Sequence, residues 1–163
     1  RPCPECGFDA SALQPRDLPA AIEANAFGWS RVLSRPDATT RPAPTVWSPA
    51  EYACHVRDVH RVFDGRVRLM LAEDDPSFAN WDQDATALAE RYGEQDPADV
   101  FDELTNAGED LAAILAEVPS EGPNAWLRPG RRSNGSTFTV ESITRYMLHD
   151  VVHHLHDVGR PLT

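Results

Sequence analysis

Apolar residues recur every three to four positions over most of this chain, the repeat of amphipathic helices, and four long segments carry it. The first runs from Asp17 to about Ser34, with Leu18, Ile22, Trp29, Val32 and Leu33 on one side. The second opens at Trp47-Ser48-Pro49-Ala50-Glu51-Tyr52 and continues to about Ala72, burying Tyr52, Val56, Val59, Phe63, Val67 and Met70. Its start is unusually complete: Ser48 is the N-cap, Pro49 takes the first helical position, Glu51 closes a capping box, and Trp47 and Tyr52 form a hydrophobic staple. Asp96-Pro97 opens the third, whose stripe of Val100, Leu104, Ala107, Leu111, Ile114, Leu115 and Val118 nearly repeats in heptads. Thr139–Val158 is the last, with Thr139 as N-cap, Glu141 in the first turn, and Phe138 and Ile143 as its staple. Gly159 and Pro161 mark its stop.

Between these segments lie a Pro- and Thr-rich loop over Arg35–Pro44, an acidic break over Glu73–Asn80, and a short helix within Asp82–Tyr92. A long connection, Pro119–Thr137, precedes the last helix. Without alternating strand patterns, the expected fold is all-α, a four-helix bundle spanning residues 17–163 behind a separate segment, 1–16.

The last helix carries four of the six histidines, so the polar residues on its buried face matter most. At about 100° per residue, Val140, Ile143, Met147, Val151, Leu155 and Val158 form one stripe. His154 falls within it and Asp150 lies on its flank, while His149, His153 and His156 turn away. Asp150 and His154 are thus an inward pair at i,i+4, a spacing that lets two side chains share one ligand. A carboxylate and an imidazole on an apolar face must be paired or metal-bound, and the helix alone leaves both readings open. On the second helix, His55 and His60 flank the apolar stripe, and each on its own reads as a helix-surface or satisfied core histidine sooner than as a ligand.

Length and charge narrow the function. At 163 residues the chain makes one domain with a sizeable core. A formal charge of −11 argues against nucleic acid and anionic membranes, which demand clustered cations. No apolar run is long enough to span a bilayer, and there is no signal-like segment, although a first residue of Arg leaves room for a preceding native start. Three cysteines make no disulfide framework, so a cytoplasmic, reducing location is expected.

Cys3-Pro-Glu-Cys6-Gly7 is half of a zinc knuckle, and no second CxxC follows. Cys54 or a histidine brought in by the fold would have to complete a second metal site; an inert turn is the alternative. Arg128, Arg131 and Arg132 are the one local cation cluster, readable as a solvated loop or an anion site.

The Trp47–His55 stretch, with a histidine one turn into the second helix, and the His-rich stretch His149–Val158 together resemble the DinB-like (YfiT-like) superfamily. The resemblance covers the chain from about Asp17 onward and leaves out Cys3–Cys6. It implies a four-helix bundle holding one divalent metal, with the first ligand at His55. Two registers fit the ligand pair on the last helix. Asp150 and His154 agree with the inward stripe and with the carboxylate used by the similar mycothiol-dependent maleylpyruvate isomerases; His149 and His153 face away. The expected metal ligands are therefore His55, Asp150 and His154.

Two histidines and a carboxylate suit Zn, Ni, Mn or Fe(II), and three protein ligands leave a coordination position open for chemistry. The family resemblance implies a metal-dependent thiol S-transferase or isomerase acting on a small-molecule substrate, with mycothiol or another low-molecular-weight thiol as cosubstrate. One of the three arginines would hold a carboxylate on that thiol. A metal-dependent hydrolase and a non-catalytic bundle, in one version a homodimer, are the competing expectations.

Overall fold

The computed structural model describes residues 1–160. Among them are five α-helices: α1 (Leu18–Leu33), α2 (Pro49–Ala72), α3 (Gln83–Ala89), α4 (Pro97–Glu117) and α5 (Val140–Val158). The four long ones form the bundle, with α4 and α5 each packing along both α1 and α2. The stripes read from the sequence are the core: Leu18, Ile22, Val56, Leu104, Leu111, Ile143, Met147 and Val151 are all fully buried.

The ends of the helices follow their local chemistry. Ser48 Oγ accepts from the Glu51 N–H at 3.1 Å, and the Glu51 carboxylate accepts from the Ser48 N–H at 2.8 Å, closing the capping box on α2. The staple above it is real, with Trp47 and Tyr52 ring centroids 5.3 Å apart. Thr139 caps α5, and Ser142, at the third helical position, completes a second capping box. Gly159 stays in a right-handed conformation at φ −65°, so α5 does not end on a left-handed glycine. Pro161, the expected stop, lies outside the described residues.

One element departs from the all-helical reading. The acidic break and the long connection contribute a three-stranded sheet of β1 (Ser77–Phe78), β2 (Pro129–Arg132) and β3 (Thr137–Thr139). β1 pairs parallel to β2 and β2 antiparallel to β3, with Gly130 opposite Phe138. The strands are too short to show a period of two, and β2 is Pro-Gly-Arg-Arg, which no propensity scale would favour. β3 runs straight into α5, so the sheet fixes where that helix begins.

The segment before α1 lies against α5. Phe8 and Leu13 pack on the core, and Arg145, held by Glu141, donates to the carbonyls of Ala10 and Leu13.

Candidate metal centre

The cap on α2 sets the position of His55, which is 1 % exposed. Its ring lies parallel to the Trp81 indole, with centroids 5.4 Å apart, and 5.4 Å from Trp47. Trp81 is held in turn by an Nε1 hydrogen bond to Thr86 Oγ1 at 2.8 Å. The ring is therefore fixed by packing. Neither of its nitrogens has a hydrogen-bond partner.

Asp150 and His154 on α5 face it. Asp150 Oδ2 lies 3.5 Å from His154 Nε2 and 3.9 Å from His55 Nε2. These separations are long for hydrogen bonds. They are close to the roughly 3.3 Å edge expected between nitrogen or oxygen ligands on a tetrahedral cation. One ligand atom from each of the three residues falls within 4.8 Å of the others. His154 Nδ1 is buried without a partner, and its ring packs 5.2 Å from Tyr52. Burial pushes the Asp150 carboxyl up, but the two imidazoles facing it outweigh this and hold it below the usual carboxylate range. An anionic oxygen and two imidazoles gathered within this distance, with both His55 nitrogens unpartnered, fit a divalent cation.

The cluster opens on a cleft of about 410 Å³, bounded by Trp81, Phe63, Arg66, Arg132, Tyr146 and Asp150. Arg66 is 7 % exposed; its guanidinium lies over the Phe63 and Phe78 rings and donates to the Ala79 carbonyl at 3.1 Å. Arg132 lies over Phe138 and Tyr146, and its Nε is buried without a partner. Burial and the neighbouring Arg132 both push the Arg66 guanidinium down. Among the described residues neither arginine forms an ion pair with a carboxylate, although the chain is strongly acidic.

The three arginines of the long connection thus divide. Arg128 donates to the carbonyls of Met70 and Glu73 at the end of α2, and Arg131 pairs with Asp75. Neither lines the cleft; of the three, only Arg132 does. Arg66 was not singled out from the sequence, although it stands three residues after Phe63 and four before Met70, inside the apolar stripe of α2. Trp81 carries no periodic signal at all, since it lies in the loop before α3.

His149 and His153 do not join the inner cluster. They face the amino-terminal segment, where one ligand atom each from Cys3, Cys6, His149 and His153 lies within 4.8 Å of the others. Cys54 is elsewhere, buried beside the Tyr92 carbonyl and Gln95.

The model of the DinB superfamily matches residues 24–158. No curated protein matches the chain. Among solved structures it is similar to YfiT from Bacillus subtilis, described as a probable metal-dependent hydrolase with an unusual four-helix bundle topology. That likeness has a TM-score of 0.77 over 90 % of this chain and 86 % of YfiT, at 18 % identity.

Proposed function

The chain belongs to the DinB superfamily, and from that premise we propose that it is a metal-dependent enzyme acting on a small anionic substrate. The finer reading is a thiol S-transferase or isomerase. His55, Asp150 and His154 hold the cation. Bound there, a divalent metal would supply Lewis acidity, lowering the pKa of a thiol or water so that its anion is available at neutral pH.

The observation that carries the reading is the pairing of this triad with two uncompensated guanidiniums across one cleft. Arg132 and Arg66 attract a carboxylate or phosphate on the incoming molecule. Trp81, Phe63 and Tyr146 wall the cleft with aromatic surface, lowering the local dielectric and strengthening that attraction. The stack of Trp81 on His55 joins the substrate wall to the ligand, so positioning of both depends on the same indole.

The YfiT description favours a second reading, hydrolysis, with water in place of the thiol. Cobalt loading of a Cys3→Ser/Cys6→Ser variant separates the two, because the Cys3 and Cys6 thiols then contribute no thiolate-to-cobalt absorption of their own. Glutathione, mycothiol and bacillithiol are each added. A new thiolate-to-cobalt absorption with any of them, lost in His55→Ala, supports thiol activation. Absence of that absorption, with thiol-independent turnover of ester or amide substrates, selects hydrolysis.

A further inference from the structure

We propose that Cys3, Cys6, His149 and His153 form a second metal site, a closed Cys2His2 zinc centre that staples the amino-terminal segment to the outer face of α5. It is separate from the inner triad in ligands and in chemistry.

The geometry starts with the loop. Gly7 N–H donates to the Cys3 carbonyl and Cys3 N–H to the Phe8 carbonyl, both at 2.9 Å. Gly7 has φ +74°, a conformation open to glycine and strained for other residues. This turn brings the two thiols together above α5. On the helix, His149 and His153 are one turn apart, the same i,i+4 spacing as the inner pair. Cys3 Sγ lies 3.9 Å from His153 Nδ1. Zinc bonds of about 2.3 Å to sulfur and 2.0–2.1 Å to nitrogen imply tetrahedral edges of roughly 3.3 to 3.8 Å. Four donors within 4.8 Å therefore need only a small contraction to close on one ion.

Two further observations point to a ligand. The far nitrogen of His153, Nε2, is 3.1 Å from a Glu5 carboxylate oxygen and 3.5 Å from one of Asp157. A carboxylate on the second nitrogen is the usual support of a metal-bound histidine, orienting the ring and leaving Nδ1 to the metal. His149 Nε2 is buried with no hydrogen-bond partner. Glu5 sits between the two cysteines, so the loop provides both the thiols and the carboxylate that orients their partner.

Two thiolates and two imidazoles make a soft, fully occupied set that suits zinc and leaves no open position. The inner triad is harder and open. One helix would then carry a structural ion on one face and a reactive ion on another.

The test measures zinc in the full-length protein, purified with zinc and dialysed. The His55→Ala/His154→Ala variant is expected to retain one zinc per chain. Cys3→Ser/Cys6→Ser and His149→Ala/His153→Ala, added to that background, should each remove it while the circular dichroism of the helices persists. In the otherwise unaltered protein, Cys3 and Cys6 should resist alkylation until a chelator is added. Zinc content unchanged by Cys3→Ser/Cys6→Ser would overturn the proposal. So would equally fast alkylation with and without chelator, or a Cys3–Cys6 disulfide in zinc-loaded protein purified anaerobically.

Discussion

His149 and Asp150 are consecutive residues of α5, yet they belong to different clusters, His149 with Cys3, Cys6 and His153, and Asp150 with His55 and His154. A helix turns by about 100° per residue, so neighbouring positions serve different faces, and repeating each after four residues places two pairs on two faces within six positions. The sequence HDVVHH thus interleaves two i,i+4 pairs, one in each cluster.

The first prediction follows from that interleaving. In a Cys3→Ser/Cys6→Ser background, His154→Ala should weaken divalent-metal binding by more than the roughly 10- to 100-fold that loss of a ligand's supporting partner costs. His149→Ala in the same background should leave the affinity within about twofold. Isothermal titration with zinc reads both. Equal losses would mean that the inner triad is not the site.

The bundle itself was legible because α1, α2, α4 and α5 write their buried faces in period and their starts in capping residues. Asp150 and His154 were legible for the same reason: a polar pair on an apolar stripe is a local contradiction. The sheet was not, since Ser77–Phe78 and Pro129–Arg132 pair across fifty residues and carry no pattern of their own. The partners of Cys3 and Cys6 were also hidden. Which histidines meet that loop depends on how the segment before α1 lies on α5, a tertiary fact with no spacing to betray it.

His60 predicts a pH dependence. It is fully buried, neither ring nitrogen has a partner, and burial holds its pKa down to about 4. Its Nε2 faces the α4 backbone, 3.7 Å from where a Cβ on Gly108 would sit. In the unfolded chain the group titrates near 6.5. Between those values the unfolded state takes up a proton that the folded state refuses, so stability falls as pH drops from about 6.5 towards 4. The full difference is about 3 kcal/mol. His60→Leu should remove that part of the slope, seen as a smaller shift of the urea midpoint between pH 7.5 and 5 in chelator-treated protein. An unchanged slope would show that His60 titrates normally.

Gly130 predicts how tightly the sheet is set on the bundle. A Cβ there would lie 2.7 Å from Met70 Cγ, and Met70 is itself fully buried, so it has little room to yield. Gly130→Ala should therefore cost about 1–3 kcal/mol, as overpacked cores do. Because Arg132 is two residues along the same strand, anion binding should weaken with it. Thermal unfolding and succinate titration of the zinc-loaded variant check the two effects. A stable variant with normal binding would mean that the strand shifts without strain.

Arg132 gives the sharpest test of the cleft. Its guanidinium rests on Phe138 and Tyr146 while its Nε is buried without a partner, and Arg66 beside it bonds only a carbonyl. Two like charges this close repel, and burying them is costly unless an anion arrives to pair with them. Removing one should thus relieve the free protein while weakening the complex. Arg132→Gln is expected to raise the Kd for succinate about tenfold, the loss of one charge-assisted hydrogen bond of roughly 1.5 kcal/mol. It should also leave stability equal or higher and metal content unchanged. Arg131→Gln is the control: Arg131 pairs with Asp75 outside the cleft, so its removal should not alter succinate affinity. If the two variants bind succinate alike, the anion is held elsewhere and the substrate class proposed for this cleft is wrong.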